Sequence, residues 1–417
     1  MKTLTILGKP LPKGSLEIPS VPEGSSVQWL VAPKGRSKFV PVTATVGNNL
    51  VVTALMEGAQ IMAVASTSDG TETARSEVLT VLPPGNNPNT EWMADAGLGI
   101  SHHFLSDYIN RVATDPEEEW QPDETWDDLV ATFDVEHYAE DIAHAGVKFV
   151  LLTLGQNSGY FLSPNPQYDK IAGLAPGDRS PRSRDLPNEI ADALHAKGIK
   201  FMAYIPANVP TRAHLGDGDY EITKRLGGVP EVDMPNPISM ANWHSIIRDW
   251  SLHFGDRLDG WWIDGVFPDM WPAYETPGSS VGWASLASAL KAGNPDRVIT
   301  LNSGIGANTL TGTTEYDDYS PGEMNTIGPL PAAGRWADDE KTVQWFAFTY
   351  LGENDGGWGG WGNNGTNHET SSLVAWATNA ISNGGAVALD VRVNRFGQIA
   401  PEQLTQLQAI NDSRSTV

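Results

Sequence analysis

The chain has 417 residues and no cysteine. That absence excludes disulfides, thiolate metal sites and thiol nucleophiles. Basic residues are scarce: 27 Lys and Arg stand against 51 Asp and Glu, a formal charge of −24. Such a surplus disfavours nucleic acid and anionic membranes as partners. No apolar run is long enough for a transmembrane helix, and the first residues, Met1 to Gly8, lack the apolar stretch of a signal peptide. No glycine-rich phosphate loop follows the first candidate strand, which argues against a doubly wound nucleotide-binding sheet. No His-Glu-x-x-His or His-x-Glu arrangement occurs, and Asp217-Gly218-Asp219 is only a fragment of a calcium loop. Neither a metal nor a cofactor is expected.

Tryptophan, by contrast, is abundant, with 15 residues. Flat indole faces suit large cores and also the apolar faces of sugars. Residues 1–82 read as all-β. Short runs such as Val27-Gln28-Trp29-Leu30-Val31 and Ile61-Met62-Ala63-Val64-Ala65 alternate with Gly, Asn and Asp turns. A small immunoglobulin-like β-sandwich is expected there. Residues 83–94, opening with Pro83-Pro84-Gly85-Asn86-Asn87-Pro88-Asn89, read as a linker.

From residue 95 to the end, helices and apolar strands alternate. Asp134 can cap a helix bearing Val135, Tyr138, Ala139 and Ile142; Gly146 ends it, and Val147 to Leu154 follows as a strand. Asp185, Gly198 and Ile199 to Ile205 repeat that unit. Trp243, Ile246, Ile247, Trp250 and Phe254 mark a third helix, leading to the strand Trp261-Trp262-Ile263-Asp264. About eight strands over roughly 320 residues predict a (β/α)8 barrel, an α/β fold whose functional groups lie at the C-terminal strand ends.

Those ends are polar. They carry His102 and His103, Gln156 and Asn157, Asn208, Asp264, Asn302, the region Glu315 to Glu323, and Glu353 to Asp355. A lone Asp-Gly is usually a turn cap, but six other polar strand ends beside it suit a site better than packing. Convergent carboxylates beside tryptophans, without a phosphate loop, point to glycoside hydrolysis, which needs two carboxyl groups. Asp264 is the candidate nucleophile. Glu323 is the first candidate acid, with Glu315 and Glu353 as rivals.

These residues together resemble the α-L-fucosidases of glycoside hydrolase family 29. Trp262-Ile263-Asp264-Gly265 is similar to that family's Trp-Phe-Asp-Gly, whose Asp is the retaining nucleophile. Arg184-Asp185-Leu186, Gly198 and Tyr204 match its helix and following strand. Asp318-Tyr319-Ser320-Pro321-Gly322-Glu323 is similar to its Asp-Tyr-x-Thr-Pro-Glu, and Ser382-Asn383-Gly384-Gly385-Ala386 to its Ser-Lys-Gly-Gly-Asn. The resemblance implies a retaining glycosidase acting on α-linked fucose or a fucose-like deoxy-sugar, with Glu323 as acid/base. It further implies that His102 or His103, Gln156, Asn157, Tyr204 and Asn302 hold hydroxyls, while Trp262, Trp271 and Trp358 shape the pocket. The family's Lys-His-His-Asp-Gly-Phe is replaced here by Gly155-Gln156-Asn157-Ser158-Gly159-Tyr160-Phe161, whose amides hydrogen-bond but carry no charge. An endo-acting fucan depolymerase and a non-catalytic sugar-binding protein on a degenerate barrel are the alternatives.

Overall fold

The computed structural model describes all residues except Met1, Ala44, Val46, Pro84, 211–218, Asp233, 307–309, 332–333, Trp358 and 416–417. Its organising element is a sheet of seven parallel strands: β1 (Leu98–His102), β2 (Phe149–Thr153), β3 (Lys200–Pro206), β4 (Gly260–Asp264), β5 (Val298–Leu301), β6 (Phe346–Tyr350) and β7 (Ala386–Asp390). They lie in the order β5-β4-β3-β2-β1-β7-β6, so the first strand pairs with the last and the sheet curls on itself.

Between the two edge strands run residues 318–324, overlapping the strand that the sequence leads one to expect at Tyr316 to Tyr319. Asp318 N donates to Ile299 O on the β5 side at 2.8 Å, and Phe348 N of β6 donates to Gly322 O at 2.8 Å. The segment therefore touches both edges, but as isolated bridges rather than a ladder. Its sequence explains the irregularity. Pro321 has no N–H to donate, and Gly322 has φ of 68°, with Phe346 O only 2.2 Å from where a Cβ would stand.

Inside the curl, Phe149, Leu151, Met202, Tyr204, Trp262, Val298, Phe346, Phe348, Ala386 and Ala388 form one apolar cluster. The alternate residues, among them Val150, Leu152, Phe201, Ala203, Trp261, Ile263, Val387 and Leu389, pack outward against the helices. The helices follow the sequence signals. Asp134 accepts His137 N at 3.1 Å to start the helix Val135–His144. The helix Pro237–Phe254 buries Trp243, Ile246, Ile247, Trp250 and Phe254 along one face, at helical spacing.

The stretch read as a linker is partly built into this body. Asn87 is buried and donates to Asp318 Oδ1 at 2.8 Å. The short helix Glu91–Ala96 sends Met93 and Ala96 into the interior cluster, with Trp92 edge-on to Phe149.

Residues before it form two small sheets of six and three strands. Leu4, Leu16, Trp29, Leu50, Ile61 and Ala63, drawn from both, share one core. Their junction with the rest is polar and buried. Lys291 Nζ meets Asp318 Oδ2 at 2.7 Å, with both side chains fully buried, and also donates to Lys13 O at 2.6 Å. Lys13 Nζ donates in turn to Asp317 O at 2.5 Å.

Removing one member of a buried ion pair strands the other. The variant Lys291→Met is expected to lose about 3–5 kcal/mol of unfolding free energy. Urea titration measures this, and a loss under about 1 kcal/mol, the range of a solvated surface pair, rejects the reading.

Candidate active site

The strand period of two decides which side chains meet. In β4, Trp262 faces inward, and two residues on so does Asp264, on the wall of a cavity of about 400 Å³. Gly265, at φ of 74°, then turns the chain. In β3 the inward residue is Tyr204, paired in register with Trp262 and stacked on it at 5.3 Å.

These neighbours hold Asp264. Tyr204 donates its hydroxyl to Asp264 Oδ2 at 2.5 Å and accepts from Gln156 Nε2 at 2.5 Å. Burial, and next the Asp264 charge, push the tyrosine well above its ordinary value, so it stays a donor. Asn302, just past β5, is fully buried. Its Nδ2 donates to Asp264 Oδ1 at 3.0 Å and to Glu323 Oε2 at 2.7 Å.

Glu323 sits on the irregular segment, bridged to Phe348. Its carboxyl is raised to about 7: burial is the larger cause, then repulsion by Asp264, while the Asn302 hydrogen bond and the nearby His103 pull it back. His103 completes the wall. Burial works to lower its ring, but Asp390, at 2.8 Å from Nδ1, together with the charges of Asp264 and Glu323 outweighs this and raises it. Asp390 also accepts from Ser101 Oγ at 3.0 Å and Gly362 N at 2.5 Å. The rings of Tyr108, Tyr204 and Trp361 surround His103 at 5.6–5.9 Å.

The arrangement is two carboxyl groups linked by one amide, one strongly proton-retaining, on an aromatic floor. A family model described as Alpha-L-fucosidase matches residues 85–412. The chain belongs to the alpha-L-fucosidase family. Solved structures agree at the level of fold. An endo-fucoidan hydrolase of glycoside hydrolase family 107 is 18% identical with a TM-score of 0.56, covering 78% of this chain and 53% of that one. This chain thus spans about half the length of that enzyme. Alpha-L-fucosidase isoenzyme 1 of Paenibacillus thiaminolyticus is 18% identical, TM-score 0.53, with 78% and 75% covered. An alpha-L-fucosidase of Lactobacillus casei, solved with α-L-fucose product, is 14% identical, TM-score 0.51, with 79% and 99% covered. No curated protein matches the chain.

In this alpha-L-fucosidase-family chain, Asp264, Glu323, His103, Gln156, Asn157, Tyr204 and Trp262 all line the one cavity. Asn302 lies behind it and reaches both acids. Several sequence candidates fall elsewhere. His102 has the opposite parity to His103: its ring is buried against Tyr138 and its Nδ1 donates to Val391 O at 2.9 Å. Trp271 turns off the cavity and donates Nε1 to Val266 O at 3.1 Å. Glu315 and Glu353 are exposed and do not line the cavity. Trp358 lies outside the described residues. Asp219 caps the helix Tyr220–Arg225, while Asp217 and Gly218 lie outside the described residues. No group of His, Asp and Glu among the described residues could hold a metal ion. No helix among them is long and apolar enough to cross a membrane.

The sequence reading did not single out Asp390, Tyr108, Arg111, Phe348 or Trp361. Asp390 carried a signal, since it ends an apolar strand as Asp264 does. Tyr108 and Arg111 come from the short helix Ile109–Val112 and its cap, Trp361 from a turn and Phe348 from a strand's inward phase, and no local pattern marks them.

Removing the Asp264 charge tests the electrostatics. In Asp264→Asn, Glu323 is expected to titrate clearly below about 7. Infrared difference spectra of its carboxyl band across pH measure this, and a midpoint that stays or rises contradicts the coupling.

Proposed function

We propose that the protein is a retaining glycosidase acting on α-linked fucose or a closely related deoxy-sugar. One observation carries the reading. A single amide nitrogen, Asn302 Nδ2, lies within hydrogen-bond distance of an oxygen on each acid, so those oxygens are no more than about 6 Å apart. Retaining glycosidases separate their carboxyl groups by about 5–5.5 Å, whereas inverting ones need roughly 6.5–9.5 Å to admit a water.

In the first step an Asp264 oxygen bonds to the anomeric carbon as the glycosidic C–O bond breaks. Glu323 gives its proton to the departing oxygen, which suits a carboxyl raised to about 7. In the second step Glu323, now ionised, takes a proton from water. The water oxygen attacks the anomeric carbon, and the bond to Asp264 breaks. Tyr204 and Asn302 hold one Asp264 oxygen each, fixing the plane of the nucleophile. The ring of His103 and the amides of Gln156 and Asn157 offer hydrogen bonds to hydroxyls. The faces of Trp262, Phe348 and Trp361 suit the methyl of a deoxy-sugar.

Asp264→Gly is expected to lower kcat on an aryl α-L-fucoside by at least about 10³-fold. Azide should restore turnover and yield the β-configured fucosyl azide. Glu323→Gln should lose about 10²–10⁴-fold on poor leaving groups. NMR of the first product formed by the unaltered protein should show the α anomer. A β first product, or an Asp264→Gly variant as active as the parent, defeats the assignment. A protein with no turnover on fucosides or fucans would favour the sugar-binding alternative.

A further inference from the structure

The segment after Asp264 serves two places. Phe267 lines the catalytic cavity, while Trp271 turns to a second cleft of about 190 Å³, which Trp283, Glu275, Thr313 and Glu315 also line. Three features separate this cleft from ordinary packing. First, Trp283 stacks on buried Tyr274 at 4.0 Å with only 7° between the planes. One indole face is thereby backed, and the residue remains partly exposed. Second, Glu275 accepts Trp283 Nε1 at 3.3 Å, which fixes the ring within its own plane. Third, Thr313 Oγ1 is buried and has no hydrogen-bond partner among the described residues. An unpaired buried hydroxyl is uncommon and costly, and calls for a ligand group or a water.

We propose that this cleft is a non-catalytic sugar-binding subsite. The apolar face of a pyranose lies against the indole platform. Its hydroxyls donate to the exposed carboxylates Glu275 and Glu315, and one pairs with Thr313 Oγ1. Two tryptophans beside two carboxylates also suit a quaternary ammonium ion, which has no N–H. Such a cation cannot pair with Thr313, and the flat, backed platform matches a ring better than a sphere. The choice of a fucose-rich glycan as ligand rests on the glycosidase reading; the platform and the orphan hydroxyl do not.

The test uses the full chain carrying Asp264→Asn, so that polysaccharide is bound and not consumed. A fucan is the probe in affinity electrophoresis. Adding Trp283→Ala is expected to weaken retardation about tenfold, the loss of one ring platform. Adding Thr313→Val, which keeps the shape of the side chain, should weaken it by a smaller factor. In the otherwise unaltered protein, both substitutions should leave kcat/KM on a small aryl α-L-fucoside within about twofold. The subsite is rejected if the Asp264→Asn protein is not retarded, or if retardation survives both substitutions. It is also rejected if tetramethylammonium displaces the fucan, or if aryl fucoside turnover falls in step with retardation. Absent fucoside turnover with retardation still sensitive to Trp283 would remove the proposed activity and leave the subsite standing.

Discussion

A strand covered on both faces has only two directions for a side chain, and they alternate. That constraint governs this molecule. In β4, Trp261 and Ile263 belong to the layer shared with the helices, and Trp262 to the interior. Asp264 can therefore only face inward, at the top of the interior column. In β1 the same rule separates His102, pressed on Tyr138, from His103, paired with Asp390. In β7, Ala386 and Ala388 are interior, and Asp390 continues their phase. A carboxylate one place out of phase would enter the apolar layer shared with the helices, where burial would be costly.

Because the interior is filled with aromatic rings up to Tyr204, Trp262 and Phe348, the floor of the cavity is apolar. Charges above it are poorly solvated, and the two acids are not treated alike. Asp264 receives the Tyr204 hydroxyl and shares the Asn302 amide. Glu323 has the other share of that amide, and burial together with Asp264 drives it to about 7. Two carboxyl groups in unequal surroundings are what a mechanism needs when one must be a proton donor and the other an anion.

Much of this was legible in the sequence. The helix-to-strand hinges at Gly146 and Gly198, the capping Asp134 and the apolar run ending on Asp264 are local signals, and local physics produced the elements they announce. What stayed hidden depends on partners far away in the chain. Residues 312–324 have no periodic pattern, so spacing could not rank Glu323 above Glu315; the bridge from Glu323 to Phe348 does so in three dimensions. The choice between His102 and His103 needed the phase of β1. Gly99 supplies it, since its Cβ would stand 2.1 Å from the Phe149 ring and so marks the inward face. Trp271 follows Asp264 closely enough to suggest the same pocket, yet a turn between them carries it to another cleft. Proline and asparagine made residues 83–94 look loose, while Asn87, Trp92 and Met93 find buried partners no local rule reveals.

The same segment shows why the junction with the small β-sheets matters. Residues 318–324 bond to the chain leading into β6 and to β6 itself in two separate stretches, Asp318 and Ser320 about Gln344 and Gly322 and Met324 about Phe348, with Pro321 breaking the ladder between them. A slip of one residue would turn Glu323 away from the cavity and bring Gly322 in. It would also pull Asp318 from Lys291, Asn87 and the Ile299 N–H, all of which it meets in a fully buried position. Lys291 is held there with the help of Lys13 O, from the β-sheet side of the junction. A buried ion pair adds little net stability, because desolvation offsets its attraction, but it heavily penalises any arrangement that separates its members. At the other end, Gly322 is the residue type that fits against Phe346 O. Glu323 is thus kept in phase by a charge pair below it and a glycine beside it, added to the backbone bonds on either side of the break at Pro321.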